Sequence, residues 1–135
     1  IIVEKILSPS DIGFHKILIN KNIMNFIDFE YAGWDDPSKM ISDLILQPDY
    51  NIPIEHISVL NELITEEFLS KDFTIRIRLM LTLYRIKWII IMLNPLLKIQ
   101  FNLSREEIDL KHERIVRYAE ESERRISESL NLLIS

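Results

Sequence analysis

The stretch that decides the fold runs from residue 8 to residue 48 and reads SPSDIGFHKILINKNIMNFIDFEYAGWDDPSKMISDLILQP. Near its start, two short apolar-rich runs, KILIN and IMNFI, flank the polar pair Lys21-Asn22. Two such runs around a two-residue joint are typical of a β-hairpin, and asparagine tolerates the positive φ that a tight hairpin turn requires. The sequence therefore predicts that the chain goes out along one strand and returns along the next.

The end of the same stretch predicts the first helix. Asp36 is an acidic N-cap, and Pro37 after it suits the first helical position, so we expect a helix from Pro37 to Leu46. We interpret Asp35 and Asp36 first as capping residues and second as substrate contacts. Asp43, inside this helix, is interpreted as structural.

Three further helices are expected downstream. Apolar residues recur at three- and four-residue spacing from Ile54 to Phe68, which indicates an amphipathic helix. A third helix is predicted over residues 73–94, ending before Pro95. Its four basic residues fall on two roughly opposite stripes, so we expect it to pack on two sides, with its basic edges meeting acids or water. Ser104 with Glu107 forms a capping-box pattern that opens a fourth helix reaching about residue 132. The predicted fold class is mainly α with a small β-hairpin.

Composition limits the classes of function. The 135 residues predict one domain, and 47% hydrophobic residues suffice for a core. A net charge of −5 argues against a nucleic-acid partner and is compatible with a cationic small molecule. The absence of cysteine excludes disulfides and thiolate ligands, and the two glycines, Gly13 and Gly33, lie too far apart in sequence for a glycine-rich phosphate loop.

Two features bear on localisation. The sequence begins Ile1-Ile2-Val3 without methionine, which we interpret as a cut within a longer chain, and it carries no recognisable secretory signal at its start. The apolar segment 79–97 contains Arg85 and Lys87 near its middle, where two basic residues cost about 5–7 kcal/mol in a bilayer. We therefore expect a cytoplasmic protein without a membrane-spanning segment, in which this helix is buried.

The candidate chemistry lies on either side of the predicted hairpin. Asp11 precedes it and Asp28 follows it, 17 positions later, so the returning strand is expected to bring the two carboxylates together. Phosphoryl transfer uses such a pair: one carboxylate accepts the proton of the attacking hydroxyl, and the other holds Mg²⁺ against the nucleotide phosphates.

The segments SPSDIGFHK and FIDFEYAGWDDPSKMISDLILQP resemble the C-terminal lobe of the aminoglycoside phosphotransferase and choline kinase family, which has the protein-kinase-like fold. The resemblance implies that Asp11 is the catalytic base and Asp28 the metal ligand. It implies Mg²⁺ and ATP as cofactors and a cationic, aminoglycoside- or choline-like hydroxyl compound as substrate. Glu30, Asp35 and Asp36 would then contribute negative potential for the substrate amine.

The resemblance also implies the organisation of the chain. Residues 1–36 would hold the catalytic loop, hairpin and metal-binding loop, and residues 37–135 a helical bundle, together forming one kinase-like C-terminal lobe. The family's N-terminal nucleotide lobe is absent from these residues, so the isolated chain is expected to be inactive. The face on which that lobe docks should be apolar and is expected to favour self-association.

Lys16 is the main departure from the family pattern. It stands five positions after Asp11, where the family has a metal-binding Asn, and an ammonium group cannot coordinate a cation. Its positive charge is expected to repel Mg²⁺ or to substitute for one metal ion. This leaves two hypotheses: an ATP-dependent small-molecule phosphotransferase, or a degenerate, non-catalytic kinase-like module with a protein-interaction role.

Overall fold

The computed structural model describes residues 5–10, 13–50, 52–68, 71–97 and 103–134. This part of the chain is mainly helical and carries two small antiparallel ladders. Its elements in chain order are β1 (Ile6–Ser8), a 3₁₀ turn (Phe14–Lys16), β2 (Ile17–Asn20), β3 (Ile23–Phe26), β4 (Gly33–Asp35), α1 (Pro37–Leu46), α2 (Ile54–Phe68), α3 (Lys71–Leu97) and α4 (Arg105–Ile134).

The predicted hairpin is confirmed. Strands β2 and β3 pair antiparallel, with Ile17 opposite Phe26 and Asn20 opposite Ile23. The turn residues Lys21 and Asn22 both have positive φ, 47° and 66°, which is the backbone of a two-residue hairpin turn whose twist matches that of the strands. The chain therefore runs out along β2 and back along β3, as predicted.

A second ladder, β1 with β4, was not predicted. It pairs three residues on each strand, with Ser8 opposite Gly33 and Ile6 opposite Asp35. The ladder therefore pairs a strand that precedes the hairpin with a strand that follows it. Strand β4 leads directly into α1 through Asp36.

The boundaries of α1 agree with the prediction. The Asp36 carboxylate accepts hydrogen bonds from the Ser38 amide at 2.9 Å and from the Ser38 hydroxyl at 2.7 Å, and Pro37 occupies the first helical turn. The carboxylate thereby satisfies an amide that has no partner within the helix. Helix α3 begins at Lys71 and continues through Pro95 to Leu97, so the prediction that it ends before Pro95 is wrong. A proline this close to the C-terminus removes one hydrogen bond and leaves the preceding turns intact.

The core lies where α1 packs against α3, α3 against α4, and α4 against α2. One side of α3 faces it through a stripe at helical spacing, while α1, α2 and α4 contribute the rest. The buried apolar side chains of this core are Ile41, Ile45, Leu46, Ile57, Phe73, Ile77, Leu81, Tyr84 and Leu133.

The opposite side of α3 is uncovered within the described residues. Ile75, Leu79, Leu83, Ile86 and Ile90 are each at least half exposed, so the expectation that this helix is buried and packed on two sides is met on one side only. Helix α3 is also long and apolar enough, by length and composition alone, to cross a membrane, which is weak evidence because core helices pass the same criterion. Its basic residues Arg85 and Lys87 form ion pairs with Glu123 and Asp43.

The capping box at the start of α4 is confirmed and gives a first testable prediction. The Ser104 amide donates to the Glu107 carboxylate at 2.8 Å, and the Glu107 amide donates to the Ser104 hydroxyl at 3.2 Å. Replacing an N-cap serine by alanine costs about 0.5–2 kcal/mol, so Ser104→Ala should lower the free energy of unfolding by roughly 1 kcal/mol in urea titrations followed by circular dichroism. Ser127→Ala, on an exposed turn about two turns before the end of α4, is the matched control and should change the free energy of unfolding by only a few tenths of a kcal/mol.

The same box should depend on pH in one direction. The hydrogen bonds from Ser104 lower the pKa of Glu107 below its ordinary value. A lowered pKa in the folded state means that the contribution is complete above the ordinary glutamate range and disappears as the pH falls through the lowered value. The Ser104 amide, which lowers the pKa most, is still present in Ser104→Ala, so the comparison uses Glu107→Gln, which removes the ionisable group. The difference in the free energy of unfolding between wild type and Glu107→Gln should shrink on acidification. A difference that grows instead would contradict this interpretation of the box.

Candidate functional site

The carboxylate of Asp28 lies beside the ammonium group of Lys16. Lys16 ends the 3₁₀ turn before β2, and Asp28 follows β3, so the hairpin brings the two residues together as it returns. The Ile27 amide donates to the Lys16 carbonyl at 3.0 Å, which extends the ladder to this point. The Lys16 Nζ to Asp28 Oδ2 distance is 2.8 Å, and the exposed fractions of the two side chains are 10% and 43%. A mostly buried ammonium therefore neutralises the predicted metal ligand.

Asp28 also has an unusual backbone conformation. Its φ is 66°, in the left-handed region, which aspartate tolerates better than most residues. Non-glycine residues in this region cluster at functional sites when the surrounding structure holds them there. Here the β2–β3 hairpin that ends just before Asp28 and the ion pair with Lys16 hold Asp28 in place.

Asp11, the predicted catalytic base, lies outside the described residues. The nearest described residues on either side of it are Ser10, with φ 68°, and Gly13, which is buried. His15 is fixed by Tyr50, whose hydroxyl accepts from the His15 amide at 3.2 Å and lies 3.0 Å from Nδ1. His15 therefore serves as a scaffold hydrogen-bonding residue that ties the 3₁₀ turn to Tyr50.

The three acids proposed for substrate contacts have different environments. Asp36 caps α1 and also lies 2.9 Å from Arg76 Nε, while Asp35 forms an ion pair with Lys39 and accepts from the Asp36 amide. Asp36 is therefore the capping residue of α1, as predicted, whereas Asp35 lies in β4 and does not cap the helix. Glu30 is exposed in the turn between β3 and β4.

A surface depression of about 440 Å³ lies next to this region. It extends from Ser10, the residue before Asp11 in the chain, across Tyr31 to the side of α3 that carries Tyr84, Lys87 and Trp88. Lys39 lines it as well and donates from Nζ to the Ser10 hydroxyl at 3.4 Å. The depression thus connects the candidate catalytic segment with the helical core.

The wall of this depression contains a polar cluster that the sequence did not reveal. Asp43 of α1, only 1% exposed, accepts from Lys87 Nζ at 2.9 Å and from Trp88 Nε1 at 3.1 Å. Burial, with smaller contributions from the charges of Asp43 and Asp35, raises the pKa of Tyr84 above its ordinary value, so its phenol is neutral at physiological pH. Tyr84, Lys87 and Trp88 lie three and four residues apart on α3, and this spacing was the sequence signal that could have shown that they lie close together. Their contact with Asp43 could not be predicted in this way, because it depends on how α1 packs against α3.

The described residues do not fit a magnesium site. They contain no group of three or more histidine and acidic side chains placed to hold a metal ion. Mg²⁺ binds through oxygen ligands in a near-octahedral arrangement, and the nearest charged neighbour of Asp28 is an ammonium group. Lys16 and Asp28 therefore offer a metal ion one carboxylate together with a competing positive charge.

Comparison of this chain with protein-family models, curated proteins and solved structures returned no match.

Proposed function

We propose that this chain is the helical lobe of a kinase-like protein in which the Lys16 ammonium takes the place of a metal ion beside Asp28, and that it acts as a non-catalytic module with a protein-interaction role. The observation that carries this proposal is the 2.8 Å ion pair between Lys16 and Asp28. The hairpin that forms the pair lies within the segment on which the family resemblance is strongest.

The ion pair opposes metal binding for two physical reasons. A divalent cation at the Asp28 carboxylate would lie within a few ångströms of a second positive charge, and this repulsion is strong because the Lys16 side chain is largely removed from water. Lys16 also supplies no oxygen ligand, whereas the amide of an asparagine would. The same residue therefore adds a charge and removes a ligand.

An interaction role is supported by the exposed apolar surface of the hairpin and of α3. Ile19, Ile23 and Met24 on the hairpin are each more than 60% exposed, and the outer side of α3 is apolar along several turns. Exposed apolar patches of this kind mark protein contact sites more often than free surface. Contact with another polypeptide, or self-association, would bury this surface.

An active phosphotransferase is the second candidate function. It is favoured by the depression beside Ser10 and Tyr31, which has room for a small hydroxyl compound next to the segment that holds Asp11. In this alternative Asp11 is the base, Asp28 holds Mg²⁺ with ATP, and Glu30, Asp35 and Asp36 supply negative potential. Transfer of phosphate from Mg-ATP to an amino-alcohol or aminoglycoside would support it over the non-catalytic module.

The metal-replacement proposal is tested with Lys16→Asn. Mn²⁺ is the probe, because it binds magnesium sites and broadens the NMR signals of nearby nuclei. We expect no site-specific broadening around Asp28 in wild type at millimolar Mn²⁺. In Lys16→Asn the amides of Ile27, Asp28 and Phe29 should broaden at an Mn²⁺ concentration at least about tenfold lower, because an oxygen ligand replaces a positive charge.

Lys21→Asn is the matched control, since it removes one positive charge from the turn of the same hairpin without touching Asp28. The double variant Lys16→Asn/Asp28→Asn should lose the gained binding. Wild type that binds Mn²⁺ at Asp28 as tightly as Lys16→Asn would overturn the proposal, and so would an equal gain in Lys21→Asn.

A further inference from the structure

The ammonium group of Lys87 is held by three different groups. Its Nζ lies 2.9 Å from Asp43 Oδ1, 4.4 Å from the centre of the Tyr84 ring and 4.6 Å from the centre of the Trp88 ring. Trp88 Nε1 donates to the same Asp43 oxygen at 3.1 Å, which fixes the orientation of the indole ring. A carboxylate and two aromatic rings therefore surround one positive charge.

These are the groups that bind a free ammonium ion. Aromatic faces attract a cation through their negative electrostatic potential, most strongly when the cation is partly removed from water, and a buried carboxylate adds a charge-assisted hydrogen bond. Asp43 is 1% exposed, whereas the Lys87 side chain is 39% exposed and lines the 440 Å³ depression. The position of the ammonium is thus accessible from the depression.

We propose that Asp43, Tyr84 and Trp88 form an ammonium-binding site that the chain's own Lys87 occupies, so that Lys87 excludes alkylammonium ligands from the depression. An external cation would have to displace the Lys87 ammonium, which has a high effective concentration because it is tethered to the chain. If Lys87 stayed in place, its positive charge would repel the external cation at close range. A second ammonium, that of Lys39, lines the same depression and strengthens the exclusion.

The occupied ammonium site stands on these contacts alone and does not depend on the proposed function. It does bear on the alternative of a phosphotransferase with a cationic substrate. If Lys87 occupies the cation site, the amine of such a substrate cannot use this wall, and any hydroxyl compound that enters the depression is neutral or anionic where it faces α3.

The test is a titration with tetramethylammonium chloride, followed by isothermal calorimetry and by Trp88 fluorescence in a Trp34→Phe background. Trp34 is 70% exposed and is removed to leave a single indole signal. Wild type is expected to show no saturable binding, whereas Lys87→Ala should bind tetramethylammonium at least about tenfold more tightly. Sodium chloride at equal ionic strength and neutral tert-butanol should have no such effect on either protein.

Lys39→Ala is the matched control, because it removes an ammonium from the same depression that does not lie over the two rings. The proposal is overturned if wild type binds the probe as tightly as Lys87→Ala, if a folded Lys87→Ala does not bind it, or if Lys39→Ala gains equal binding.

A measurement on wild type covers the case in which Lys87→Ala does not fold. The rings of Tyr84 and Trp88 should shift the Lys87 Hε protons upfield of those of the other lysines, and Trp88→Leu should move them back toward the usual position. Lys87 Hε signals that coincide with those of exposed lysines in wild type would show that the ammonium does not occupy the site.

Discussion

Leu81→Ala is expected to lower the free energy of unfolding by about 2–5 kcal/mol, the range found when a fully buried leucine is truncated. Leu81 is 0% exposed and lies at the centre of the core, between Ile77 and Tyr84 on the inner side of α3. The loss combines the transfer of apolar surface with the cavity that its close-packed neighbours cannot fill. Urea denaturation followed by circular dichroism measures it.

Leu79→Ala is the matched control, since Leu79 is on the same helix two residues away and is 59% exposed. It should change the free energy of unfolding by no more than about 0.5 kcal/mol. Equal losses in the two variants would contradict the one-sided packing of α3 and would indicate that its outer side is also covered in solution, for example by a second copy of the chain.

The local elements were predictable because their signals are contiguous in sequence. The hairpin could be predicted from two apolar runs and the pair Lys21-Asn22 between them, and the structure shows positive φ values at both of these turn residues. The bounds of α1 followed from Asp36 and Pro37, and the start of α4 from Ser104 and Glu107, because each cap bonds to amides two or three residues away.

The unpredicted features depend on residues distant in sequence. The ladder between β1 and β4 pairs three-residue strands whose short runs carry no periodic signal of their own. The contact of Asp43 with Lys87 and Trp88 spans more than 40 positions and follows from the packing of α1 on α3. Propensity and periodicity do not determine such pairings.

The candidate site falls between these two cases. The sequence identified Asp28, and it identified Lys16 as the residue that departs from the family pattern. The approach that the hairpin predicted was that of Asp11 to Asp28, and the ion pair between Lys16 and Asp28 was not predicted. The relation of Asp28 to Asp11 stays a prediction, because Asp11 lies outside the described residues.

The second large effect is expected from Arg125→Ala, which should lower the free energy of unfolding by about 2–4 kcal/mol. The Arg125 guanidinium of α4 donates to the Ile45 carbonyl at 2.7 Å and to the Ile52 carbonyl at 3.1 Å. One side chain thus joins the end of α1 to the residues just before α2. Removing it leaves two carbonyl groups without these charged donors, which is why the effect exceeds that of an ordinary surface arginine.

Arg124→Ala is the matched control, because the neighbouring Arg124 side chain is 72% exposed and lies 4.0 Å from Glu128, a geometry that contributes little. Arg125→Lys should recover about half of the loss, since a single ammonium does not reproduce the planar fork that reaches both carbonyls. Full recovery by lysine would show that charge alone matters at this position.

The expected consequence of Arg125→Ala extends to the candidate site. Tyr50 lies in the connection between the two carbonyls that Arg125 holds, and its hydroxyl contacts the His15 amide and ring. Loosening this connection should therefore increase hydrogen exchange at His15 as well as between α1 and α2, while the hairpin turn at Lys21 and Asn22 keeps its wild-type rate. Unchanged exchange at His15 in a folded Arg125→Ala would show that the segment following Asp11 is positioned independently of α4.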